Sequence, residues 1–227
     1  MIAAWPCPDA ADLAGGTMPE YALRFDVGRR RRLLIVPALF DEANRMRRLT
    51  VEVMRRLDLA GIDCMLPDLP GCNESRQALE SVTLETWSSA MVAAARHFAA
   101  SHVLTIRGGA LLAPQSLPGW RFAPVGGAVI LRQMLRMRIL ASREAGIEET
   151  QRGLLAKGRS DGLELAGYRL SAAMIASLEN AEPPATSQSI FGQDLLGGSA
   201  LWLRAEPDED RTQADALAAI LAIGMLA

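Results

Sequence analysis

The chain has 227 residues, half of them hydrophobic, and a formal net charge of −2. That is enough apolar content for one substantial core in a single domain, 1–227, and too much for a disordered chain. The near-neutral balance excludes a general electrostatic pull toward nucleic acid or acidic membranes.

The longest apolar run, Ala216 to Ala227, is shorter than the roughly 20 residues that cross a bilayer, so no integral membrane segment is expected. Three cysteines, Cys7, Cys64 and Cys72, show neither metal-ligand spacing nor the even number of a disulfide framework. With no basic stretch followed by a long apolar one near Met1, the expectation is a cytoplasmic protein without a metal or cofactor. Lys157 is the only lysine, and an arginine-dominated positive charge favours fixed bidentate contacts with anions, although a GC-rich genome produces the same bias.

In chain order, 1–20 mixes Pro, Gly, Asp and Ala without periodicity and reads as an irregular lead-in. Tyr21 to Asp26 reads as a strand turning through Gly28. The run Arg29 to Arg32, a solvated turn or a phosphate contact, precedes Leu33–Val36, a short buried strand. Met46, Leu49, Val53 and Leu57 recur at helical spacing over 44–60, with Gly61 where a C-terminal cap belongs. Asp63–Leu66 is a second strand, followed by a turn-rich loop to Ser75. Thr83 and Glu85 open a helix carrying Leu84, Trp87, Met91, Ala94 and Phe98 on one face, and Val103–Ile106 is the third strand.

Beyond that, Trp120–Val125 reads as a fourth strand, and about 127–180 as a helical excursion that begins with the arginine-studded Val129–Glu144 and includes Leu170–Leu178. Pro183 and Pro184 mark a surface linker, Ser199–Arg204 a last strand, and Thr212–Leu226 a C-terminal helix. This alternation of strands and helices demands a mostly parallel central sheet with helices on both faces, an α/β three-layer sandwich. Ligands in such sheets bind beyond the C-terminal strand ends. The loops Pro37–Asn44, Asp68–Ser75 and Arg107–Gly109 should therefore converge.

One of these loops has the form of a nucleophile elbow, the strand–turn–helix in which α/β-hydrolases expose their serine within G-x-S-x-G. In the stretch from His102 to Ala113 the turn position is held by Arg107, with Gly108 and Gly109 behind it and Thr105 in place of the first glycine. The geometry is kept while the nucleophile is gone. A triad in this fold also needs its histidine after the elbow. The only histidines, His97 and His102, precede it.

Several stretches, in order, resemble the exosortase A system-associated hydrolases of the second type. These are Pro37 with Glu42, Asn44, Arg47 and Arg48; Asp68-Leu-Pro-Gly-Cys72 to Ser75; Arg107 to Ala113; Pro124-Val125; Leu131 to Arg138; and Ala166 to Ser171. The resemblance spans about Leu33 to Leu178 and implies an α/β-hydrolase-like fold with arginine as the usual elbow residue. It also implies a link to bacterial exopolysaccharide and PEP-CTERM protein sorting, with the proteins of those machineries as partners. Thr105, Asn73 and Ala123 depart from the pattern, standing where the family has glycine, glycine and glutamine.

Three functions follow as expectations. In the first, a protein without a Ser-His-Asp triad binds an anionic small molecule or lipid-linked sugar at the elbow, through Arg107, the amides of Gly108 and Gly109, and Glu42, Asn44, Arg48, Asp68 and Arg136. The face formed by Gln133, Arg136 and Arg138 either lines that pocket or faces water. In the second, Cys72 is a nucleophile for ester hydrolysis or acyl transfer, with Asp68, Glu74 or Glu42 as base; Ser75 is a weaker candidate that suits a turn cap. In the third, Arg107 is neutralised by Glu42 or Asp68 as a buried pair, and the protein is a structural partner.

Overall fold

In the computed structural model, which describes residues 1–12 and 15–226, the apolar run after the arginines forms β3 (Arg32–Val36). Its side chains alternate between two cores, as the period of a strand dictates. Leu33 and Ile35 join Met46, Leu49, Val53 and Leu57 of α1 (Asp41–Leu59) and Leu217 and Leu221 of α7 (Arg211–Leu226). Leu34 and Val36 face Trp87 and Met91 of α2 (Leu84–His97), Met134 of α3 (Gly127–Glu144), and Met174 and Leu178 of α5 (Ala172–Asn180). A strand buried on both faces is the mark of a parallel sheet sandwiched by helices.

The sheet has seven strands in the order β1-β2-β4-β3-β5-β6-β9. Here β1 is Ile2–Pro8, β2 Thr17–Phe25, β4 Asp63–Pro67, β5 His102–Ile106, β6 Gly119–Phe122 and β9 Ser189–Phe191. Neighbours from β4 through β9 pair in parallel, while β2 runs antiparallel to β4. The excursion after β6 holds α3, α4 (Gln151–Asp161), a two-stranded hairpin of β7 (Leu163–Leu165) and β8 (Tyr168–Leu170), and α5.

Helix ends follow their local chemistry. Thr83 caps α2 by accepting from the Thr86 amide while Thr86 accepts from that of Thr83, a capping box. Gly61 follows α1 at φ 80°, the left-handed position expected of it.

Three expectations are corrected. The segment 1–20 is not an irregular lead-in: β1 (Ile2–Pro8) and the start of β2 (Thr17–Phe25) pair in register, Trp5 opposite Glu20. The alternation there is real, since Trp5 and Cys7 are buried between exposed neighbours, but three prolines and small residues mask it. The last strand is not Ser199–Arg204, which forms a single 3-10 turn at Leu201–Leu203. It is β9, a few residues beyond the prolines read as a linker, and its three residues are too few to show a period. The elbow leads into a 3-10 turn, Arg107–Leu112, rather than directly into an α-helix.

The edge strand β1 is guarded against pairing with other chains. Met1 and Arg24 exchange backbone hydrogen bonds, so in this antiparallel ladder the amides of even-numbered β1 residues face outward. Two of those positions are Pro6 and Pro8, which have no N–H to offer.

Two arginines of the four-arginine run form an internal clamp, while Arg30 and Arg31 are exposed. Arg29 and Arg32 both donate to Asp63, a fully buried carboxylate that also accepts from the amides of Val27 and Arg29. Arg32 also pairs with Asp26, and its guanidinium holds that carboxyl down at about 2.

Candidate functional site

Arg107 closes β5 with φ 52°, a left-handed conformation that a β-carbon makes costly and that marks the elbow geometry. Gly109 is required behind it, because a β-carbon there would lie 2.3 Å from the carbonyl oxygen of Pro37. Over Gly108 the space is already taken: a β-carbon would meet Ile130 Cδ1 at 2.5 Å and Leu39 Cγ at 3.1 Å. Both glycines are buried, Gly108 against apolar side chains and Gly109 against the backbone of Val36 and Pro37.

Each nitrogen of the Arg107 guanidinium donates a hydrogen bond within the protein. Its Nε donates to Glu42 Oε2 at 3.1 Å, Nη2 to Glu42 Oε1 at 3.0 Å, and Nη1 to the carbonyl of Ala123 at 3.0 Å. Its Cζ stands 4.3 Å from the ring centroid of Trp202, a cation–π contact. Arg107 is 8% exposed and Glu42 6%, so the fork-to-fork pair operates away from water, where such contacts are strongest. Of the two partners foreseen for Arg107, Glu42 is found; Asp68 instead pairs with Arg47 and accepts from Asn73.

Trp202 was not singled out from the sequence. It belongs to the connection between β9 and α7, the stretch after the last strand from which this kind of fold delivers its histidine. An indole from this late connection thus packs over the guanidinium of Arg107. The signal available was a lone aromatic just before the final helix, but its reading as part of a strand hid it.

Both histidines lie at the far rim. His97 ends α2, and His102 opens β5, five residues before the elbow. His102 stacks on Trp120, and burial together with nearby Arg31 pushes its pKa down. Neither reaches the elbow.

Two cavities flank the clasp. The smaller, about 50 Å3, lies at the ends of β3 and β4 and is lined by Asn44, Asp68, Cys72, Asn73 and Tyr168, with Phe40 as one wall. The larger, about 260 Å3, lies on the other side of Phe40, between α1, α3 and the Leu201–Leu203 turn. Glu42, Gln133, Arg136 and Trp202 line it. The 37–44 loop meets each of the other two, lining the smaller cavity with Asp68, Cys72 and Asn73 and pairing with Arg107 through Glu42, while Arg107, Gly108 and Gly109 line neither cavity. Phe40 precedes α1 at φ 54°, ψ −130°, a second strained residue beside the elbow.

The remaining candidates separate. Arg48 lies outside both cavities and pairs with Glu209 at the surface. Gln133 and Arg136 share the larger cavity, whereas Arg138 turns away to Glu149. Glu74 is exposed on a surface groove. Ser75 is a turn cap: its oxygen accepts from the amides of Gly71 and Gln77 while donating to Glu20 Oε1 at 2.6 Å. Cys72 lines the small cavity, but burial, then Asp68 and Glu20, push its thiol up to about 12. A nucleophilic cysteine needs the opposite shift.

Among the described residues, no group of three or more His, Cys, Asp or Glu side chains could hold a metal ion, and no helix is long and apolar enough to cross a membrane.

No protein-family model matches the chain, and no curated protein matches it. Solved structures do. The α/β-hydrolase domain-containing protein 10 from mouse aligns with a TM-score of 0.52 at 13% identity, over 85% of this chain and 77% of that one. Smu.1393c from Streptococcus mutans aligns at 0.49 and 13%, over 100% and 97% of the two chains. Est1E from Butyrivibrio proteoclasticus, solved with ferulic acid bound, aligns at 0.47 and 14%, over 77% and 76%. Strand order and likeness to the mouse protein agree: the chain has the α/β-hydrolase fold.

Proposed function

We propose that this is a hydrolase-fold protein that performs no serine-triad hydrolysis. It acts instead as a ligand-binding or assembly component of the exopolysaccharide and PEP-CTERM systems to which exosortase A-associated proteins belong. The single observation that carries the non-hydrolytic reading is the internal engagement of the elbow residue: Arg107 is held by Glu42, Ala123 and Trp202 together. An anion seated on Arg107 itself would have to displace Glu42 from a buried bidentate pair, so the ligand belongs beside the clasp rather than on it.

The competing reading, an esterase using Cys72, is favoured by the position of that residue on a cavity wall and opposed by the direction of its pKa shift.

Fluorophosphonate and iodoacetamide labelling, with a panel of p-nitrophenyl esters, tests both. The expected result is no fluorophosphonate adduct and no turnover, with alkylation of Cys72 at pH 8 slower than that of free cysteine by at least about 100-fold. Ester turnover abolished by Cys72→Ala would establish the esterase instead. Deletion of the gene in its own bacterium, expected to impair exopolysaccharide export or PEP-CTERM sorting, tests the cellular assignment.

A further inference from the structure

The larger cavity has a distinctive charge balance. Its wall carries Asp41, Glu42, Arg45 and Arg136. Glu42 is consumed by Arg107, and Asp41 is paired with Arg45. Arg136, exposed on α3, makes no ion pair among the described residues, and Gln133 one turn earlier adds an unpartnered amide on the same wall. The cavity thus keeps one uncommitted positive charge at its rim.

The rest of the lining is apolar: Phe40, Ile130, Met134, Met137, Trp202 and Leu203. Two methionines give such a wall the adaptability to follow a flexible chain. A volume of about 260 Å3 is close to the lower end, ~300 Å3, of small-molecule sites.

We propose that this cavity binds a monoanionic amphiphile, an acyl carboxylate in its simplest form. The head group meets Arg136 and Gln133, and the chain lies along Met134, Met137 and Trp202. This rests on the non-hydrolytic reading above, because a reactive elbow beneath the same cavity would turn over acyl esters rather than hold an acyl anion.

Calorimetric titration with decanoate, with decanol as the uncharged probe, tests the proposal. Saturable decanoate binding is expected, weakened about tenfold or more by Arg136→Gln, as loss of a charge-assisted contact implies, with decanol unaffected. Met137→Trp, which fills the cavity, should abolish binding of both, and thermal melts of each variant separate lost binding from lost folding. No saturable binding of decanoate, or binding indifferent to both substitutions, would overturn the proposal. Hydrolysis of p-nitrophenyl decanoate, followed in parallel, reports on the other reading: turnover would sink the non-hydrolytic assignment, whereas absence of both turnover and binding would sink only this one.

Discussion

Arg107 and Arg121 are two buried arginines at the C-terminal half of the same sheet, and they are satisfied in opposite ways. Arg107, at the end of β5, has a carboxylate, a carbonyl and an indole. Arg121, within β6 and 1% exposed, has no carboxylate: Nε donates to Gln188 Oε1 and Nη1 to the carbonyl of Pro184, while Nη2 is left without a partner. Burial accordingly pushes the pKa of Arg121 down. The contrast shows that burial alone does not make an arginine functional. Arg121 ties the irregular 184–188 segment to the sheet through neutral acceptors, whereas Arg107 is one half of an ion pair joining the elbow to the first turn of α1.

The largest effect is expected at the ion pair. Glu42→Ala leaves the guanidinium buried without its counter-charge and should destabilise the fold by about 3–5 kcal/mol in chemical denaturation. A loss below about 1 kcal/mol would mean that the pair is not structurally important. Replacing both partners, Arg107→Met with Glu42→Leu, should recover most of that loss, because two desolvated charges are removed together.

Arg121→Met should cost less, about 1–2 kcal/mol, since it strands only neutral acceptors and leaves no opposite charge behind. If it costs more than Glu42→Ala, the distinction between the two arginines fails.

Glu20 is the same situation with the sign reversed, a fully buried carboxyl with no cation. Its Oε1 accepts from Ser75 and Gln77, and its Oε2 has no partner. Burial raises its pKa, outweighing the two hydrogen bonds that lower it. The native state therefore holds this proton more tightly than the unfolded chain. The resulting stabilisation is complete below the ordinary glutamate value of about 4.3 and is lost as pH rises through the folded value. Glu20→Gln should match the parent in Tm near pH 4 and exceed it at pH 8; an advantage that does not grow with pH would refute the assignment.

The smallest effect belongs to Arg136→Gln, an exposed arginine without a partner, which should alter stability by no more than about 0.5 kcal/mol. That separates it from Arg107 and Arg121, and leaves any change in ligand binding attributable to the cavity.

Much of the fold is legible in the sequence. Leu33–Val36 reads as a buried strand, 44–60 and the segment opened by Thr83 as amphipathic helices, and His102–Gly109 as an elbow, because each carries a strong local signal. The elements that were misread lack one. The edge hairpin of β1 and β2 is built from prolines and alanines whose alternation is weak, and β9 is three residues long. Its place in the sheet is set by pairing with β6, through Ser189 opposite Trp120, and not by its own composition.

The candidate site divides along the same line. The sequence by itself determined that no histidine follows Arg107, that an arginine stands at the turn after His102–Ile106, and that Glu42 was one of two carboxylates that could meet it. Those are facts of order and identity along the chain. Only the tertiary structure decided between Glu42 and Asp68, brought Trp202 over the guanidinium from nearly a hundred residues away, and covered Gly108 with Leu39 and Ile130. Such choices depend on distances between segments that are remote in sequence, and a buried charge selects its partner through the packing around it rather than through anything its neighbours in the chain reveal.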